Sequence, residues 1–103
     1  MLPVSTKIQI DAYVDQGVPP GDFLYAVLTS NLFEAAMHTD AVNGPNLSDI
    51  CMYIYNYTPA VCWGSVEKVE AWLKLHREDP AEAVVAASYD KKTREEYYER
   101  HVG

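Results

Sequence analysis

The chain has 103 residues, with 8 Lys+Arg against 15 Asp+Glu for a formal net charge of −7, and 49% of it is hydrophobic. That length fits a single domain, residues 1–103, burying roughly 60–70% of its unfolded surface. The acid excess argues against electrostatic binding to nucleic acid or to an anionic membrane, since both need clustered Lys/Arg to displace counterions.

The longest apolar run, residues 23–28, is far short of the roughly 18–20 residues that span a bilayer. The first residues have neither the basic start nor the apolar stretch of a signal peptide. The expectation is a soluble cytoplasmic protein. Cys51 and Cys62 are too few for a disulfide framework and lack the second pair that a zinc site of this kind needs.

Apolar spacing predicts helices throughout. Ile10, Tyr13, Val14 and Gly17 recur at i, i+3, i+4, i+7, with Ser5 or Thr6 as the cap and Gly17 as the terminator. Pro19 and Pro20 cannot continue that helix but can open the next, where Asp22 complements the dipole. A stripe of Leu24, Val27, Leu28, Leu32 and Ala35 carries the second helix to about His38, with Thr29-Ser30-Asn31 as a candidate break. Residues 39–45 read as a loop built on Asn43-Gly44-Pro45. Leu47, Ile50, Tyr53, Ile54 and Tyr57 form a third helix, closed by Pro59. Ser65 caps a fourth, with Val66, Val69, Trp72, Leu73 and His76 on its apolar face and Glu70 paired with Lys74. Asp79-Pro80 restarts a helix, Asp90-Lys91-Lys92 interrupts it, and Thr93 with Glu96 forms a capping box for a last short one.

The fold class expected is all-α: a small antiparallel bundle of about four core helices plus one or two C-terminal helices. Short connections favour an up-down-up-down course. Residues 80–103 read as a tail that packs across the bundle or mediates assembly.

Two blocks carry a resemblance. The first is Tyr13-Val14-Asp15-Gln16-Gly17-Val18-Pro19-Pro20-Gly21-Asp22-Phe23-Leu24, followed by Ala26-Val27-Leu28, Asn31-Leu32 and Glu34-Ala35. The second is Ile54-Tyr55-Asn56 with Pro59 and Gly64-Ser65. Together they resemble small phage and prophage accessory proteins over roughly residues 10–75. The resemblance implies a viral accessory product without catalytic residues to carry over, in a group of proteins among which inhibitors of host defence, anti-CRISPR inhibitors included, are common. What it implies is a non-enzymatic protein in the host cytoplasm that binds and inhibits a host protein, with a defence component as the expected target.

The up-down course places the loops 17–22 and 58–65 at one end, bringing two helix N-termini together. An anion or nucleotide would bind there between Pro20, Gly21, Ser65 and Lys68, with Tyr57 or Trp63 as a stacking face and Asn31 as a polar contact. The same residues also read as turn and cap chemistry, and Asn31 as a buried amide that needs partners. Phe33, Met52 and Tyr55 lie off the core stripes, and with Tyr97 and Tyr98 of the tail they are the candidate protein interface, for a host protein or for a homo-oligomer. No histidine spacing fixes a metal site, no nucleophile elbow or Gly-rich phosphate loop is present, and no cofactor is implied.

Overall fold

The first helix owes its end to one residue. Gly17 adopts φ 67°, so its N–H returns to Tyr13 O and that of Val18 to Ala12 O, closing the last turn. In this computed structural model, which describes residues 1–101, α1 spans Val4–Gln16. Its N-terminus is set by Pro3 with no side-chain cap, so neither Ser5 nor Thr6 caps it. Thr6 is instead buried one turn in and donates to Asn43 Oδ1.

The expected second helix is two helices, α2 (Asp22–Leu28) and α3 (Leu32–His38). Ser30 sits at φ 63°, a left-handed conformation that no helix interior allows. Asn31 then begins α3, its side chain accepting from Glu34 N–H at 3.2 Å while its own N–H reaches back to Ala26 O. Asn31 is therefore an exposed cap and not a core amide. The chain folds back on itself here, and α3 packs on α2.

The remaining helices are α4 (Leu47–Tyr57), α5 (Val66–Glu78), α6 (Pro80–Ser88), α7 (Lys91–Glu95) and α8 (Tyr97–His101), with a 3-10 turn at Ala60–Cys62 before α5. Ser65 and Asp79 cap α5 and α6 as their residue types predict. The Thr93–Glu96 capping box does not form: Thr93 lies inside α7 and Glu96 ends it. Lys74 reaches Glu78 and not Glu70, whose carboxylate accepts from the Tyr25 hydroxyl on α2. No helix among the described residues is long and apolar enough to cross a membrane.

Ile10, Tyr13 and Val14 of α1 meet Ile50, Tyr53 and Ile54 of α4 and Val69, Trp72 and Leu73 of α5 in one core. Buried polar groups lock these helices in register. Tyr13 OH donates to Cys62 O at 2.7 Å, Trp72 Nε1 to Tyr13 O at 3.2 Å, and His76 Nε2 to Val14 O at 3.1 Å. Ala83 and Ala87 let α6 approach α1 and α5 closely.

Tail residues complete this core. Tyr97 is buried, edge-on to Tyr53 and Tyr57, and the half-buried Tyr98 donates to Leu2 O at 2.7 Å. Arg94 is 1% exposed. Its guanidinium donates to Tyr57 O and Ala87 O, each at 3.0 Å, and to Asp15 Oδ1, while Asp11 Oδ1 lies 3.8 Å from Nε.

Candidate functional site

The split at Ser30 decides where a ligand could sit. Tyr25 on α2 bonds Glu70 on α5, and Gly64 N–H donates to Leu28 O at 2.7 Å. Hence α2 runs antiparallel to α5, and the α5 N-terminus lies at the far end of α2 from Gly21. Gly17 lies at the other pole of α5, where an added Cβ would fall on His76. The two loops therefore do not share an end. The up-down course failed because it treated residues 22–38 as one rod.

The seven residues predicted to line a ligand site are dispersed. Pro20 and Gly21 lie in the α1–α2 connection, with open space where a Gly21 side chain would point. Ser65 caps α5 by accepting from Lys68 N–H, and the Lys68 side chain folds back toward Gly64. Tyr57 stacks on Tyr53 and meets Tyr97 edge-on. Asn31 and Trp63 line two adjoining hollows, while Tyr57 lines a separate one. His38 pairs with Glu34 and His76 with the α1 backbone, and among the described residues no three His, Cys, Asp or Glu side chains group to hold a metal ion.

What the structure does bring together is an apolar groove. One wall is the α2–α3 elbow and the other is α4. Two hollows of about 200 and 300 Å³ share Val27, Ser30 and Cys51 and so form one trough. Leu32, Ala35 and Leu47 line its upper half, and Met52, Tyr55 and Trp63 its lower half. Tyr55 and Trp63 contact each other with ring centroids 5.6 Å apart, and the Trp63 Nε1–H is buried without an acceptor. Cys51 is a free, exposed cysteine whose thiol is raised above its ordinary pKa by partial desolvation.

Helices α3 and α4 expose large apolar side chains. Of α3 only Ala35 is buried; Leu32 is 67% exposed, Phe33 80% and Met37 75%. Met52, Tyr55 and Val61 are exposed on the opposite side. Of the predicted interface, Phe33, Met52 and Tyr55 are thus on the surface. Tyr97 belongs to the core, and Tyr98 is half-buried and bonded to Leu2, so the tail does not present this pair as an interface.

Charge is arranged just as unevenly. Between Lys7 and Lys68 there is no Lys or Arg, whereas Asp11, Asp15, Asp22, Glu34, Asp40, Asp49 and Glu67 all fall in that stretch. These seven acids account for the whole net charge, and the rest of the chain is balanced. Asp11 and Asp15 are engaged by Lys7 and Arg94, and Asp49 by the N-terminal amine. Asp22 and Glu34 instead line a hollow of about 250 Å³ on the other side of the elbow, which shares Ala26 and Asn31 with the apolar trough. This segregation is visible in the sequence, in the cation-free interval itself. Averaging charge over the chain conceals it.

Compared with known proteins, the chain matches no family model, no curated protein and no solved structure.

Proposed function

We propose that this protein is a non-enzymatic binding module that acts by occupying a host protein, in the manner of a phage accessory inhibitor working in the host cytoplasm. One observation carries the binding half of this reading: the trough between the α2–α3 elbow and α4, lined by exposed Leu32, Met52 and Tyr55, with Phe33 and Met37 also exposed on α3. Scattered surface apolar residues need no explanation, but aromatic and Met side chains contiguous with a groove are the composition of a protein interface. A helix that buries one alanine and exposes three large apolar residues gains little from folding against its own chain, so its sequence is accounted for by a partner. The two sequence blocks that resemble phage accessory proteins support the biological setting, and a defence component is the target they favour.

The test is affinity capture from bacterial lysate with the native chain and with a Phe33→Ser/Met52→Ser/Tyr55→Ser variant, alongside phage challenge of a host expressing each. The expected result is one stoichiometric partner and weakened defence with the native chain, both lost with the variant while its circular dichroism spectrum is retained. Capture of nothing, or capture indifferent to the triple substitution, would sink the proposal.

A further inference from the structure

We infer that the occupant of the trough is a cationic amphipathic helix of another protein. Its apolar stripe would lie along Leu32, Met52, Tyr55 and Trp63, and its Lys/Arg side chains would reach over the elbow into the hollow that holds Asp22 and Glu34. This occupant presupposes that the face docks a protein at all, the function proposed above.

Three observations select it. First, two adjoining apolar hollows form one trough with walls on two sides, the kind of groove into which an amphipathic helix lays residues at i, i+3, i+4 and i+7. Second, the adjoining hollow is acidic: among the described residues Asp22 forms no ion pair, Glu34 pairs with His38, and no Lys or Arg lines the hollow. A guanidinium or ammonium placed there gains a carboxylate partner beside a low-dielectric wall, where the attraction exceeds that in bulk water. Third, the cation-free stretch from residue 8 to residue 67 contains both walls of the trough. A second copy would oppose that negative surface with itself, and a nucleic acid or anionic lipid would meet the same repulsion. A basic segment is the partner whose field it complements.

The probes are three synthetic peptides of about five helical turns: one with a Leu/Phe stripe and Lys/Arg elsewhere, one with the same stripe and Glu elsewhere, and one with the composition of the first but the stripe scrambled. Each is titrated calorimetrically into the full chain. The first is expected to bind at least tenfold more tightly than either of the others. Leu32→Ser/Met52→Ser/Tyr55→Ser should abolish that binding, Asp22→Asn/Glu34→Gln should weaken it several-fold, and added salt should weaken it further.

Equal binding of the Lys/Arg and Glu peptides would overturn charge selection. Equal binding of the striped and scrambled peptides would reduce the effect to bulk attraction and overturn the helix. A dimer seen by light scattering, and dispersed by the triple substitution, would make the occupant a second copy and overturn the inference too. If no peptide binds yet lysate capture still depends on the trough, the cationic helix is wrong and the docking function stands; if capture is also indifferent to the trough, both fall.

Discussion

Replacing Arg94 with Met would remove the guanidinium on which α1, the end of α4 and α6 converge, while keeping an apolar stem of similar reach. Tyr57 O and Ala87 O would lose their donor and Asp15 its cation. Breaking a buried ion pair from one side costs about 3–5 kcal/mol, because the remaining groups are stranded without water. The Asp15 side chain is 21% exposed, so water recovers part of its solvation and the lower half of that range, about 3–4 kcal/mol, is expected. Against a total stability of about 5–15 kcal/mol for a domain of this kind, that is a large fraction. At about 4–8 °C per kcal/mol, Tm should fall by on the order of 15–25 °C.

Arg94→Lys should lose about half as much, since one ammonium cannot serve a carboxylate and two divergent carbonyls. Asp15→Asn should lose least, because the guanidinium keeps both carbonyls and Asp11 remains 3.8 Å from Nε. Urea unfolding followed by circular dichroism and Trp fluorescence would measure the order Met, Lys, Asn. The reasoning is refuted if Arg94→Met unfolds within about 1 kcal/mol of the native chain, the range of an ordinary surface change.

Two further outcomes follow from the core. Gly17→Ala combines a left-handed φ with a Cβ that falls on His76 Cβ and Cγ, so it should cost about 2–4 kcal/mol by urea melt, and His76→Ala in the same chain should not rescue it, because the clashing Cβ at 76 and the left-handed φ both remain. A second prediction concerns alkaline pH. Burial pushes the Cys62 thiol up from 9.0 to about 11 and raises the Tyr13 and Tyr53 hydroxyls above their ordinary 10.0, with a hydrogen bond to Asp11 adding to the rise at Tyr53. Each group holds its proton more tightly folded than unfolded, so above pH 9 the unfolded state binds fewer protons and stability falls as pH rises. Urea midpoints should therefore be level near neutrality and decline from about pH 9 onward, with Tyr13 and Tyr53 phenolate absorbance appearing only as the chain unfolds. A midpoint unchanged through pH 11 would contradict this.

Much of the helix map was legible because periodicity and caps are local. Gly17, Ser65 and Asp79 act where their chemistry requires, and Pro59 and Pro80 mark boundaries that need no partner to form. Asn31 shows the limit. Its position continues the stripe of Leu24 and Leu28, so spacing assigns it to the core, whereas a reversal at Ser30 makes it a cap; the two readings differ in one dihedral angle that periodicity does not report. That dihedral reverses the chain, and with it every inference about which loops share an end. Arg94 was illegible for a different reason. Its carboxylate partner is 79 residues away, and nothing local distinguishes it from a solvated tail arginine. For the candidate site, Phe33, Met52 and Tyr55 were found by elimination from core stripes, while the trough itself exists only once α3 folds back beside α4.

The closure made by Arg94 has a consequence for how the protein is born. Asp15 is synthesised 79 residues before its guanidinium partner, and Ala87 and Tyr97, which seal the core, also follow α5. On a ribosome adding roughly 5–20 residues per second, α1 through α5 would emerge before their polar groups and apolar faces can be satisfied. Completion of the core is therefore expected to wait for residues 80–98, and a chain truncated before Arg94 is expected to be more susceptible to proteolysis, its core left open.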